Sequence, residues 1–457
     1  MTTVAAIKAT GSFAPAWPSR LARTPAALAA LQVTAILVLA GFTVAHFQIF
    51  GIDEGAHISY IESIAEHGRV PTLADRTPWQ VQAIDEGTYP RRSPMPASQA
   101  GLAGESYEAF QMPLYYVLAA PAYLIGGGDF ITKVRVLRSF DVLLLVVSIV
   151  LLALLARAVF AKRWLLPFCM ALSVVMWPGV LVRLITVSYG ALELPMGLAF
   201  IYACWQANVR RSGRWLVAAG ALLGLALLTS LLLACFAPVL LLPIVSRVRT
   251  YGVRRQLGTL ALTLALPVAM LAPLLVMNEN RYSALTGESI VKREQRGVID
   301  PGGHRFGLQD VTHSEWTVSR AVLPEEWWSQ YNEPIRETLL RLVPIALLLI
   351  AIAAFVRGWR SVLPRAILLG SPFVTGLVAL GAGILIIQWQ TLFPRYLNPE
   401  FTLLGLLAAS RLSSARGWVA TLAIAAAMTL AVAAVWVYMA GAYWYPNVGK
   451  SLGMAVG

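Results

Sequence analysis

Residues 26–50 read AALAALQVTAILVLAGFTVAHFQIF, a predominantly apolar run that contains no Asp, Glu, Lys or Arg. A helix needs about 20 such residues to cross the hydrocarbon core of a bilayer. Only a helix satisfies all of its backbone hydrogen-bonding groups within one such stretch. The run is too long for the core of a signal peptide, so it predicts a first transmembrane helix that stays attached.

Similar runs recur along the 457-residue chain, which is 58% hydrophobic and only 13% charged. A soluble domain carries roughly 25% charged residues. The predicted fold class is therefore an all-α integral membrane protein, with about 11 transmembrane helices in one domain over 26–457 after a tail at 1–25. The predicted spans are 26–50, 137–156, 164–185, 189–207, 215–230, 231–246, 257–278, 339–357, 366–389, 399–411 and 417–439.

The charges predict the topology, because cytoplasmic loops are rich in Lys and Arg. The apolar segment 113–125 is too short to span, and we interpret it as an in-plane helix whose Tyr115 and Tyr116 suit the headgroup zone. The tail and the alternate short loops then hold 18 of the 36 Lys and Arg and none of the 23 Asp and Glu. This places the N-terminus in the cytoplasm, and the C-terminus and the two large loops, 51–136 and 279–338, outside.

Charge and cysteine content exclude two other classes of site. The net charge of +13 is sorted by side of the membrane, and no basic run is interleaved with aromatics, so no nucleic acid partner is expected. The three cysteines lie inside apolar runs, in a setting that suits neither a metal site nor a disulfide framework. No metal site is predicted from these residues.

An acidic pair, Asp53 and Glu54, follows the first predicted span. Partial desolvation at the membrane boundary would raise the pKa of a carboxylate and make it a better base. His57 follows one helical turn after Asp53. The alternative is ordinary solvation of a helix end.

Two polar residues precede the predicted in-plane helix. Pro113 is predicted to begin this helix, because proline is favoured in the first turn. Glu108 and Gln111 lie near its N-terminus, where backbone N–H groups and the helix dipole favour an anion such as phosphate. A solvated loop with nothing bound is equally compatible with this stretch.

Three charged residues lie on the predicted outer side of later spans. Arg395, followed by Tyr396, stands in a short outer loop, where its guanidinium could hold a phosphate or anchor the chain at lipid headgroups. Arg183 lies near the outer end of its span, and Glu193 lies within the next one. An ionisable residue at that depth is a functional candidate, although these two could also pair for structure.

The order of these elements resembles that of the GT-C superfamily of membrane glycosyltransferases. The resemblance lies in the acidic pair Asp53-Glu54, in Met112-Pro113-Leu114-Tyr115-Tyr116, and in Pro394-Arg395-Tyr396-Leu397-Asn398-Pro399. Met112 and Pro394 depart from the residues usual in these motifs. Ser188-Tyr189-Gly190 also stands where many relatives carry a carboxylate, and Glu193, about one turn further on, could substitute for it.

The resemblance implies a GT-C-like fold and an inverting transferase that moves a sugar from a polyprenyl phosphate to an acceptor hydroxyl. Asp53 would be the general base, and Glu54 would orient it or bind the acceptor. Arg395 and Tyr396 would hold the donor phosphate, with a divalent metal optional and no certain cofactor. The other candidate substrate-binding residues are His57, Glu108, Gln111, Tyr115, Arg183 and Glu193.

The expected partners are a lipid-linked sugar donor, membrane lipids, and an acceptor that is a glycan, a lipid or a protein. Alanine-rich composition with more Arg than Lys suggests a bacterium, hence its cytoplasmic membrane. Two alternatives stay open. A ligase or polymerase of lipid-linked glycans would want further outward arginines, and a transporter or flippase would want polar residues near the midplane.

Overall fold

The computed structural model describes residues 19–45, 54–72, 75, 109–283, 285, 365, 367–376, 378, 398–412 and 418–439. These residues are 89% helical and include no strand. The helices are α1 (Ser19–Ala45), α2 (Glu54–His67), α3 (Leu114–Ile125), α4 (Phe130–Phe160), α5 (Leu165–Val175), α6 (Pro178–Ile185), α7 (Gly190–Arg210), α8 (Gly213–Thr229), α9 (Leu241–Tyr251), α10 (Val253–Tyr282), α11 (Ile367–Gly376), α12 (Asn398–Leu412) and α13 (Trp418–Met439). Two 3-10 segments, Ala161–Arg163 and Leu231–Leu240, precede α5 and α9.

Several of these helices could cross a membrane by their length and composition. Four described stretches are long and apolar enough: Thr24–Ala45, Phe130–Arg163, Leu231–Tyr251 and Val253–Tyr282. A bent pair, α5 with α6, adds a fifth if it counts as one span. The prediction of a mostly helical membrane protein is confirmed, whereas the count of about 11 spans and the GT-C-like fold stay predictions. The predicted span 339–357, most of 366–389 and nearly all of the loop 279–338 lie outside the described residues.

The segment predicted as one span over 164–185 forms two helices, with a bend of 80° between them. Trp177 separates them with extended backbone, at φ −57° and ψ 134°, directly before Pro178. Proline lacks an N–H and disfavours helical backbone in the residue before it, so the α5 helix cannot continue through this point. The break turns the chain toward Val187 and Tyr189, which line the site described below.

Helices α8 and α10 pack closely through two glycines of α8. A Cβ atom at Gly220 would lie 2.3 Å from the carbonyl oxygen of Thr263, and one at Gly224 would lie 3.1 Å from the Cα of Pro267. The spacing of these glycines is the small-xxx-small pattern that lets helix backbones approach in membranes. Because two helices that are both apolar gain little from burying each other in lipid, this close contact is what fixes their crossing.

Hydrogen bonds between helices add specificity to the apolar core. The amide nitrogen of Gln32 on α1 donates to the carbonyl oxygen of Cys169 (3.1 Å), to Ser173 Oγ (2.9 Å) and to Thr429 Oγ1 (2.8 Å). Gln32 is fully buried. A single polar side chain thus joins α1, α5 and α13, as polar side chains commonly do between helices in membranes.

Contacts between the described helices distinguish two opposite ends of the bundle. At one end, Trp205 Nε1 of α7 donates to the carbonyl oxygen of Ala158 of α4 (3.0 Å), and Arg247 of α9 donates to the carbonyl oxygen of Arg211. At the other end, Asn278 of α10 donates to the carbonyl oxygen of Phe110 at 3.3 Å. The first is called the basic end (157–163, 208–214 and 247–256), and the second, which holds α2, α3 and the start of α4, is called the site end.

Candidate active site

Helix α2 begins at Glu54, whose carboxylate is held by a buried ion pair. Arg138 of α4 donates to it through Nε (2.9 Å to Oε1) and a terminal nitrogen (2.7 Å to Oε2). The backbone N–H of Val187 also donates to Oε1 at 2.9 Å. The exposure of the Glu54 side chain is 1% and that of Arg138 is 0%. This two-point geometry matches guanidinium to carboxylate and fixes the start of α2.

Arg138 also connects the ion pair to the first transmembrane helix. Its other terminal nitrogen donates to the carbonyl oxygen of Thr43, near the end of α1, at 3.1 Å. The end of α1, the start of α2, α4 and the segment after α6 therefore meet at one guanidinium. Sequence reasoning did not single out Arg138, although a charge inside the predicted span 137–156 was a signal for it.

A second buried acid, Asp141, lies one turn further along α4. The hydroxyl of Tyr115 donates to it, with distances of 2.9 and 3.1 Å to its two carboxylate oxygens. Tyr115 was a candidate substrate-binding residue, and both Tyr115 and Tyr116 were expected in the headgroup zone, but both side chains are fully buried in the protein. The prediction of headgroup exposure is wrong for these two rings, because this face of α3 packs against α2 and α4.

The opposite face of α3 carries the exposed apolar side chains. Val117, Leu118, Leu124 and Ile125 are 44–77% exposed. The helix has only 12 residues, which is too short to cross a bilayer. One face of this helix is therefore buried and the other is aliphatic and exposed, while its in-plane orientation at the membrane surface stays a prediction.

His57, Tyr116 and Tyr60 form an aromatic cluster beside the ion pair. His57 Nδ1 lies 2.9 Å from the Tyr116 hydroxyl, at hydrogen-bonding distance. Tyr60 stacks on Tyr116 with ring centroids 3.8 Å apart, and the Tyr189 ring meets His57 edge-on at 5.4 Å. The Tyr60 hydroxyl donates to the carbonyl oxygen of Gln111 at 3.1 Å. The fold thus brings His57, Gln111 and the helix-opening motif of α3 together.

Arg183 and Glu193 form the pair that the sequence left open. A terminal nitrogen of Arg183 donates to Glu193 Oε2 at 3.1 Å, and the guanidinium lies 5.4 Å from the centre of the Tyr189 ring. A Cβ atom at Gly190 would lie 2.6 Å from Arg183 Nε. The absence of a side chain at Gly190 therefore leaves room for this arginine to reach Glu193.

A further buried carboxylate, Glu400, lies near this pair. Cys235 Sγ donates to Glu400 Oε1 at 3.0 Å. Within the part of the chain that the structure describes, Glu400 Oε2, Glu193 Oε1 and Ser188 Oγ are buried without a hydrogen-bond partner. Glu400 was not singled out from the sequence, although an acid inside an apolar run, next to the motif of Arg395, was a signal for it.

The rim of the site end carries titratable groups outside the spans. Burial raises the pKa of Glu62, an effect that its hydrogen bond from Tyr123 only partly offsets. The Arg69 guanidinium, 2.6 Å from Asp75, lowers the pKa of that carboxyl to about 2. Arg281 of α10 donates to the carbonyl oxygen of Pro71 at 3.4 Å, which ties this segment to the bundle.

Four predicted site residues, Asp53, Glu108, Arg395 and Tyr396, lie outside the described residues. The structure brings Glu54, His57, Gln111 and Tyr115 together, and Tyr189 links this group to Arg183 and Glu193. In the described part of the chain, no group of three or more His, Cys, Asp or Glu could hold a metal ion.

Comparison of the chain with family models, with curated proteins and with solved structures found no match.

Proposed function

We propose that the protein is a membrane glycosyltransferase, which moves a sugar from a polyprenyl-phosphate donor to an acceptor hydroxyl at the outer face of a bacterial cytoplasmic membrane. The observation that carries this proposal is the buried Glu54–Arg138 pair at the start of α2. In this proposal the two acids of the Asp53-Glu54 pair have different tasks.

Glu54 has an anchoring task in this proposal. Both of its carboxylate oxygens accept hydrogen bonds from Arg138, and one also accepts from the Val187 backbone. With both oxygens occupied by buried donors, this carboxylate is poorly placed to reach an acceptor hydroxyl.

Asp53 then acts as the general base. The acceptor oxygen forms a bond to the anomeric carbon of the sugar while its proton passes to Asp53. The bond between that carbon and the phosphate oxygen breaks, and its electron pair stays on the polyprenyl phosphate. Arg395 stabilises the charge that develops on this leaving group. Attack opposite the phosphate inverts the anomeric centre.

The paired state of Arg183 favours this function over a ligase or polymerase of lipid-diphosphate-linked glycans. That alternative would use Arg183 as a second phosphate-binding arginine. Arg183 donates to Glu193 at 3.1 Å, and its side chain is only 13% exposed. Neutralised by this carboxylate, the guanidinium attracts a diphosphate less strongly.

The test is release of polyprenyl phosphate by the purified full-length protein in nanodiscs, with a panel of polyprenyl-phosphate sugars as donors. The variant Asp53→Asn should reduce turnover by about 10²- to 10⁴-fold, the usual contribution of a general base. The matched control is Glu66→Gln on the exposed side of α2, where the carboxylate pairs with Lys133 at 3.3 Å. This control should keep full turnover.

Two results would contradict the proposal. If the folded wild-type protein releases polyprenyl phosphate from none of the donors in the panel, the proposed glycosyltransferase function is overturned. Full turnover by Asp53→Asn would remove Asp53 as the base while leaving the reaction class standing. A folding check on both variants separates these results from simple loss of structure.

A further inference from the structure

An open groove lies at the basic end, between the first turn of α8 and the early turns of α10. Its volume is about 910 Å³. The residues that line it are Ser212, Gly213, Arg214, Val217, Gly258, Thr259 and Leu262. A Cβ atom at Gly258 would meet nothing within 4 Å, so the α10 wall is open at this point.

The part of the groove beside Ser212, Gly213 and Arg214 is called its upper part, and it suits an anion. The segments of the basic end (157–163, 208–214 and 247–256) hold ten Lys and Arg and no Asp or Glu. Arg214 is exposed at the groove, and a terminal nitrogen of Arg247 lies 3.0 Å from the Cβ position of Gly213. The side chain of Ser212 does not cap α8, so the first backbone N–H groups of that helix add to the attraction for an anion.

The part of the groove about one turn further along both helices is called its lower part, and it is aliphatic. Val217 and Leu262 line it, and Leu262 is 49% exposed. Leu257 and Leu264 on α10 are also about half exposed, at 57% and 53%. At the level of the basic turns, Arg210 lies 5.9 Å from the centre of the Trp215 ring, an arrangement common at membrane interfaces.

A polar, positive upper part above an aliphatic lower part matches a membrane lipid better than a soluble anion. We propose that this groove binds an anionic phospholipid, with its phosphate beside Arg214, Ser212 and Thr259 and an acyl chain along Val217 and Leu262. Basic pockets between transmembrane helices bind such headgroups on the cytoplasmic side. The groove lies at the opposite end of α10 from the candidate active site, so the proposal does not depend on the proposed glycosyltransferase reaction.

The experiment measures lipid retention by the purified full-length protein, using native mass spectrometry after exchange into phosphatidylglycerol or phosphatidylcholine. The wild type should retain phosphatidylglycerol in preference to phosphatidylcholine. Arg214→Gln should weaken retention of phosphatidylglycerol about fivefold, the usual contribution of one basic side chain at a membrane surface. Gly258→Leu should weaken retention of both lipids, because the new side chain fills the groove without changing its charge.

Two matched controls isolate the groove. Lys162→Gln removes one exposed positive charge from the same end, outside the groove lining. Gly41→Leu makes the same change as Gly258→Leu at an exposed glycine of α1 where a Cβ atom also meets nothing. Both controls should retain lipid as the wild type does.

Equal loss in the charge control and in Arg214→Gln would overturn the proposal, because it would mean that lipid is held by general charge. Unchanged retention in Gly258→Leu would overturn it as well. Inorganic phosphate is added in parallel. Displacement of the lipid by phosphate at equal concentration would show a site for the free anion, whereas retention of the lipid supports the proposal.

Discussion

Removing the guanidinium of Arg138 tests the arrangement of the site end most directly. Arg138→Met keeps an unbranched apolar stem but removes the guanidinium, and so leaves the Glu54 carboxylate buried, at 1% exposure, without the two nitrogens that donate to it. Breaking a buried ion pair in this way costs about 3–5 kcal/mol of unfolding free energy. Glu54→Met should cost a similar amount, since it leaves the guanidinium buried.

The double variant Glu54→Met/Arg138→Met separates the ion pair from simple loss of packing. It leaves no uncompensated charge, and its main cost is two backbone groups that lose these partners, the Val187 N–H and the Thr43 carbonyl oxygen. One such unsatisfied group costs about 1–3 kcal/mol. The double variant should therefore be more stable than either single variant or close to it, with a coupling of several kcal/mol between the two sites.

The chain provides its own reporter for this measurement. Its three cysteines, Cys169, Cys204 and Cys235, are free and buried, so a thiol-reactive dye reports unfolding as SDS is added in mixed micelles. The control is Arg135→Met, the same substitution one turn earlier on α4 at an exposed position. It should change stability by less than about 0.5 kcal/mol. Additive effects of Glu54→Met and Arg138→Met, or equal losses in Arg138→Met and Arg135→Met, would refute the reasoning.

Three further predictions concern close packing and titration. Gly220→Val should destabilise the protein by about 1–3 kcal/mol, because its Cβ would lie 2.3 Å from a backbone carbonyl of α10; the same dye assay should find Gly41→Val unchanged, and equal losses in both would argue against the close α8–α10 contact. Glu62→Gln should stabilise the protein at about pH 8 and lose that advantage near about pH 4, because a carboxyl whose pKa is raised by burial disfavours folding once it ionises; a pH-independent difference in unfolding would contradict this. Gly190→Ala should displace Arg183, whose Nε would lie 2.6 Å from the new Cβ, at a cost of about 1–3 kcal/mol. Wild-type stability of this last variant would mean that the guanidinium does not lie over the glycine.

The sequence alone determined that this is a helical membrane protein. Lipid cannot hydrogen-bond a backbone, so long apolar runs must be helical wherever they lie in the chain. For the same local reason the predicted segment 257–278 falls within the helix Val253–Tyr282, and the predicted segment 189–207 starts one residue before the helix Gly190–Arg210 and otherwise lies within it. The short helix over 113–125 was also predictable, because its length and its opening proline are local signals.

The tertiary structure decided which side chains meet. Arg138 pairs with Glu54 across 84 positions, and Tyr115 binds Asp141 only because α3 crosses α4. An apolar run predicts that a helix forms, but it does not predict which helix packs against it, because any apolar neighbour can cover its surface equally well. Polar partners inside the bundle are instead fixed by close backbone approach, as at Gly220, and by the break before Pro178. The site therefore depends on helix crossings for which no single stretch of sequence carries a signal.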